Sequence, residues 1–192
     1  LSPYRCANLP GLPPLGQLYG MWGYELIQWI EPTVAIHPQD DSSPPDGLWM
    51  LMDGILIFDQ VKRLITAVAY ADLSGGCSVD SAWESALARI ADLRRRMDAP
   101  LPAVAPLQWS PNADVLPDVS SNRDRSDFEA AVESAREHIA AGDVFQLVLS
   151  QRLEASVPQS PLELYRSLRM VNPSPYMAFF DFGEWQLIGS SP

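Results

Sequence analysis

Along the chain the apolar residues change their spacing several times, and each change marks a predicted element. Residues 1–15 carry prolines and glycines without a period, an extended lead-in. Residues 16–23 are glycine-rich and aromatic, and residues 24–31 space their apolar groups as a short helix ended by Pro32. A polar turn cluster covers 40–47. Aliphatic and β-branched residues then fill 48–58 and 63–70 on either side of Asp59-Gln60-Val61-Lys62, which predicts a β-hairpin. After a break of small residues at 74–78, Trp83, Ala86, Leu87, Ile90 and Leu93 recur at helical spacing opposite Glu, Asp and Arg, the pattern of an amphipathic helix.

Residues 97–125 hold five prolines and a run of Asp, Asn and Ser with no sustained period, so they read as a linker. They separate an amino-terminal region, 1–115, from a second domain that begins at 126 and runs to 192. That domain opens on Ser126-Asp127-Phe128-Glu129, a capping-box pattern in which each side chain would satisfy a backbone donor left free at a helix start. Phe128, Val132, Ala135 and Ile139 form the apolar stripe of the helix, and Gly142 is placed to end it. A second capping box, Ser160-Pro161-Leu162-Glu163, has Pro at the first helical position and opens a helix through Met170. Residues 176–182 and 185–190 read as strands joined by Gly183-Glu184.

Composition narrows the function classes. Of the 192 residues 47% are apolar and 19% charged, enough to build a core. Thirteen basic against 24 acidic residues give a net charge of −11, which speaks against a nucleic-acid surface and against anionic membranes as partners. No apolar run reaches the roughly 20 residues needed to cross a bilayer, since 49–58 is interrupted by Asp53 and Gly54. No basic segment followed by an apolar one marks a secretory signal, and the expected location is the cytoplasm. Cys6 and Cys77, far apart, read there as reduced thiols. Neither His37 nor His138 has Cys, Asp or His at ligand spacing, so both read as surface residues and no metal site is predicted. Gly75-Gly76 lacks the Lys-Ser/Thr of a phosphate loop, and Arg94-Arg95-Arg96 suits a helix C-terminus, where cations complement the dipole.

Three stretches stand out as chemistry. Residues 144–151 alternate as a strand, with Phe145, Leu147 and Leu149 on one face and Val144, Gln146, Val148 and Ser150 on the other. A glutamine within a covered strand must find hydrogen-bond partners, so Gln146 either ties a neighbouring loop to the sheet or faces a ligand. In Asn172-Pro173-Ser174-Pro175-Tyr176-Met177 two prolines fix φ and stop the preceding helix, giving a stiff loop whose Tyr and Met suit either a core or a ligand. In Gly189-Ser190-Ser191-Pro192 the glycine would admit close backbone approach to a ligand.

Taken with the run from Gly142 to Arg152, these motifs resemble the chorismate-utilising enzymes, anthranilate synthase component I most closely, over about residues 16–192 and most tightly over 126–192. The resemblance implies an α+β fold of antiparallel sheets packed face to face with outer helices, present incompletely. It implies conversion of chorismate and ammonia to anthranilate and pyruvate in tryptophan biosynthesis, with ammonia from a glutamine amidotransferase partner, magnesium on the substrate carboxylates and feedback inhibition by L-tryptophan. Gln146 then faces the substrate in the catalytic site; Ser150, Gly189 and Ser190 bind substrate; Asn172, Pro175, Tyr176 and Met177 hold the effector. Related isochorismate synthases carry a lysine at the position matching Gln146. A desolvated lysine with a pKa of about 7 can activate water, whereas an amide cannot and ammonia does not need it. The family pattern continues after Pro192 with the general-acid glutamate, at what would be position 193, and the magnesium ligands are expected further on; the 192-residue chain alone is expected to be inactive. The Leu-Leu-Glu-Ser type of tryptophan-site motif is not found. Two alternatives stay open: para-aminobenzoate synthase component I, whose segment typically matches 172–177 less well, and a non-catalytic binding module.

Overall fold

In the computed structural model, residues 8–13, 15–34, 44–101 and 118–191 are described, and the chain divides into two units. Unit one comprises Leu1–Ala105 and Ala178–Leu187; unit two comprises Pro106–Met177 and Ile188–Pro192. Cys6, His37 and most of the predicted linker lie outside the described residues.

Unit one begins with strand β1, Leu18–Trp22, antiparallel to β2, Gly47–Leu51, in a register from Leu18 opposite Leu51 to Trp22 opposite Gly47. The glycines at 16–23 conceal this strand in the sequence, because glycine weakens strands elsewhere. Here the backbone approach demands one: a Cβ on Gly20 would lie 2.0 Å from the Leu48 carbonyl oxygen. The Trp22 ring covers Gly47 and meets Trp49 edge-on at 5.3 Å, so aromatic area replaces the missing side chain. The helix expected over 24–31 is one 3₁₀ turn, Tyr24–Leu26, running into one α turn, α1, Ile27–Ile30.

The predicted hairpin exists in shorter form, as β3, Gly54–Asp59, and β4, Leu64–Ala69, antiparallel from Gly54 opposite Ala69 to Asp59 opposite Leu64. The stretch 48–58 is two strands in two sheets, not one. Met52 donates its N–H to the Gln17 carbonyl at 2.7 Å and Asp53 accepts from the Tyr70 N–H at 3.0 Å, so the chain changes partner there. In the turn, Asp59 Oδ1 accepts from the N–H groups of Lys62 (2.8 Å) and Val61 (3.1 Å). The Lys62 amide chiefly holds this carboxyl below its usual range.

Helix α2, Val79–Asp98, is capped by Ser78, whose Oγ accepts from the Ser81 N–H at 3.2 Å. Its buried residues are Ala82 and Ala86, which with Val68 of β4 are the fully buried apolar side chains among the described residues. The inward face is therefore rotated from the expected one: Trp83 and Leu87 are exposed. Alanine lets the helix backbone approach the hairpin closely, and a Trp facing it could not. Arg89 pairs with Asp53 at the hairpin's edge. The arginine run does close the helix, Arg96 Nε meeting Asp92 Oδ2 at 2.7 Å and Arg95 the same carboxylate.

In unit two, β5, Val119–Ser121, pairs antiparallel with β6, Leu153–Ala155. Helix α3 spans Arg125–Ala141, one residue earlier at its start than the Ser126 cap predicted. Asp124 is its N-cap, Ser126 lies within the first turn, and the Glu129 carboxylate is engaged by Arg125 Nε at 2.7 Å. The first capping box is thus not formed. The second is: Ser160 Oγ accepts from the Glu163 N–H at 3.3 Å and Glu163 Oε2 from the Ser160 N–H at 3.1 Å, opening α4, Pro161–Val171. Gly142 ends α3 with φ 84°, as predicted. Its N–H donates to the Ile139 carbonyl and that of Asp143 to the His138 carbonyl, a Schellman closure. Strands β7, Tyr176–Asp181, and β8, Gln186–Ser191, form the expected hairpin, its turn closed by the Phe182 N–H on the Trp185 carbonyl at 2.8 Å.

Candidate functional site

The predicted strand at 144–151 is not formed. Residues 144–150 are irregular, Phe145 is 95% exposed and Val148 81%, and the nearest strand begins at Leu153. A strand exists through its ladder, and no described strand pairs with this stretch; alternation alone cannot supply a partner. Gln146 and Ser150 are accordingly exposed, and neither side chain makes a hydrogen bond among the described residues. Neither reading of Gln146, the tie to a sheet or the ligand contact, is realised in this conformation.

The far end of the motif is anchored. Gln151 Nε2 donates to Ser121 Oγ at 2.9 Å, the Arg152 N–H to Asn122 Oδ1 at 2.9 Å, and the Asn122 N–H to the Arg152 carbonyl at 3.1 Å. Before the motif, His138 Nδ1 lies 2.8 Å from Asp143 Oδ2 across the Gly142 cap, both side chains exposed. The segment bearing Gln146 and Ser150 therefore spans two fixed ends. None of these ties was predicted. The His–Asp partnership was overlooked because five residues is not a helix-face spacing; it follows only once Gly142 reverses the chain.

Asn172, Pro175, Tyr176 and Met177 run from the end of α4 into β7, and Asn172 closes the helix with its N–H on the Leu168 carbonyl at 2.8 Å. Ser174 Oγ accepts from the Tyr176 N–H at 3.2 Å, which reinforces the bend that the two prolines impose. Tyr176 is exposed and Met177 partly covered. Gly189 and Ser190 lie in β8, and a Cβ on Gly189 would meet open space. Ser190 Oγ donates to the Asn172 carbonyl at 2.7 Å. One predicted substrate residue and one predicted effector residue are thus joined directly, while Gln146 and Ser150 make no hydrogen bond to that pair.

Along α3 a cleft of about 620 Å³ has Phe128 and Val132 as apolar floor and Ser121, Arg123, Glu133 and Gln151 among its walls. Its acids are engaged, Glu129 by Arg125 and Glu133 by Arg136 at 2.9 Å. Among the described residues no three His, Cys, Asp or Glu side chains converge to hold a metal ion, so this part of the chain offers no ligand set for the magnesium that the resemblance implies. No described helix is long and apolar enough to cross a membrane.

Short antiparallel sheets with accompanying helices, and a proline-stiffened loop bonded to a glycine-serine strand, define an α+β enzyme-like unit. The chain belongs to the chorismate binding enzyme family, which it matches over residues 2–192. It is 47% identical over 198 residues to anthranilate synthase component 1 of Synechocystis sp., an alignment taking in 100% of this chain and 39% of that protein. It is 35% identical over 191 residues to the component 1 of Pseudomonas putida, covering 98% of this chain and 38% of that one. The crystal structure of anthranilate synthase component I from Streptococcus pneumoniae TIGR4 superposes with a TM-score of 0.75 at 32% identity, over 98% of this chain and 41% of that chain. The chain spans about two-fifths of the length of the relatives it matches.

Proposed function

We propose that this chain serves as part of an anthranilate synthase component I, and that the protein it belongs to converts chorismate and ammonia to anthranilate and pyruvate. The observation that carries this reading is its 47% identity to a component 1 along its entire length. In the reaction ammonia adds to the chorismate ring as the 4-hydroxyl leaves, and elimination of pyruvate then restores the aromatic ring. Ammonia is already a nucleophile, so the site must place it more than activate it, and an uncharged Gln146 is compatible with that role where a lysine would favour water. Ser150, Gly189 and Ser190 are assigned to chorismate, with Gly189 free of a side chain that would obstruct it. A glutamine amidotransferase supplies the ammonia, and magnesium is held by carboxylates outside the described residues. The cytoplasm is the proposed location.

Asn172, Pro175, Tyr176 and Met177 are assigned to feedback tryptophan. The Ser190–Asn172 hydrogen bond supports coupling between that loop and the substrate strand. Two measurements test the reading. A protein carrying this sequence joined to the remainder of a component 1 should release fluorescent anthranilate from chorismate and ammonium; a 4-amino product instead would move it to the para-aminobenzoate branch, and no consumption of chorismate would leave a binding module. In the same protein Met177→Thr should weaken tryptophan inhibition by on the order of 1–3 kcal/mol through lost apolar contact, with uninhibited turnover less affected. Equal loss of both would remove the effector assignment.

A further inference from the structure

Unit two has amphipathic helices but buries none of its described side chains. The α3 stripe ends in Ile139, which is exposed, and Phe128 and Val132 floor an open cleft beside it. Beyond Gly142 the exposed run continues through Val144, Phe145, Leu147 and Val148 in a stretch whose backbone is committed to no ladder. Apolar alternation without a sheet is the form of a strand that lacks its neighbour. A groove of apolar floor and polar rim, followed by an open strand, fits a polypeptide that lays apolar side chains on α3 and backbone against 144–149.

What that polypeptide is follows from length. The matched relatives keep roughly three-fifths of their residues outside the region this chain occupies, and the solved neighbour has the same fold over its matching part. We propose that the α3 groove and residues 144–149 are a docking surface for a separate polypeptide equivalent to that remainder, so that this chain and a complementary piece of component I assemble in trans. The surface is fixed at both ends, by the Gly142 closure and by the Gln151–Ser121 tie, and so is presented to a partner before it arrives. Docking rests on family membership and exposure alone, and association is measured apart from turnover; anthranilate formation can fail while docking stands.

The test is co-expression of the tagged 192-residue chain with the stretch of the Synechocystis component 1 that follows its match to this chain. The expected result is a 1:1 complex by light scattering, with amide protection rising at 128–139 and 144–149. The double variant Phe145→Asp, Val148→Asp should weaken the complex by about thirtyfold or more, as loss of central apolar anchors does. Both positions are exposed in an irregular segment, so the variant leaves the fold of the free chain intact, and Val61→Asp, exposed in the unit-one turn, should change nothing. Absence of co-purification, a complex indifferent to the double variant, or a homodimer that protects the same residues and excludes the complement would each overturn the proposal.

Discussion

Helices α2 and α3 are of similar length, 20 and 17 residues, and both are amphipathic, yet α2 buries Ala82 and Ala86 against a hairpin while α3 buries nothing among the described residues. Helices of this length are marginal by themselves and draw most of their stability from packing. The difference lies in what stands nearby in sequence. The β3–β4 hairpin immediately precedes α2, close enough to fold back on it. Around α3 stand a three-residue strand and the irregular 144–150, which form no sheet broad enough to receive its stripe. Capping chemistry makes an element; only a partner makes a core. The residues assigned to function lie on the side that lacks one.

The sharpest way to break this contrast is to enlarge a small residue on each helix. Ala86→Leu forces a branched side chain into the α2–hairpin contact and should cost about 1–3 kcal/mol. Ala135→Leu on the α3 stripe should stay within about 0.5 kcal/mol, because nothing closes over it. Residue-resolved hydrogen exchange reads both, and equal costs would show that unit two has a closed core after all.

A smaller effect separates the two capping signals within unit two. Ser160→Ala removes an acceptor that the Glu163 amide uses and should cost about 1 kcal/mol of α4 stability. Ser126→Ala lies inside α3 and should be neutral or slightly favourable, since alanine is the better helix former. Circular dichroism melts of the two variants compare them, and a loss at Ser126 would restore the box that the structure replaces with Asp124.

The smallest effect concerns acid. Asp181 in the β7–β8 turn accepts from Gln186 Nε2 and the Gly183 N–H, each at 3.0 Å, and the Gln186 bond chiefly holds its carboxyl below the usual range. A folded value below the unfolded one means its contribution is complete above the unfolded value of about 3.9 and is lost as pH falls through the folded value. The Gly183 amide resonance should therefore be steady from neutrality to about pH 4 and move only below it. Movement centred above that range would contradict the assigned bonds.

Local signals were legible in the sequence and partnerships were not. Gly142, the Ser160–Glu163 box, the arginine run and the Gly183 turn are each decided within a few residues, and each appears where the pattern put it. The errors share another cause. Stretch 48–58 splits because Gln17 and Tyr70 bond to its middle, and 144–151 fails as a strand because its period-two pattern cannot name a neighbour. Strand β1 was hidden by glycines whose reason, the Leu48 carbonyl beside Gly20, is set by a strand some 30 residues away in the chain. The family motifs located the candidate residues, but the Ser190–Asn172 bond between two of them needed coordinates, since it joins positions 18 apart across a loop and a hairpin.

The tie between Ser121 and Gln151 also orders events in folding. It joins residues 30 apart and encloses the whole of α3. Closing a chain loop costs entropy that rises only with the logarithm of its flexible length, and a helix inside the loop shortens that length. Helix formation takes microseconds or less, so α3 forms first and carries the two short strands toward each other. Substitutions that raise α3 helicity thus act as accelerators of the β5–β6 ladder, although they touch neither strand.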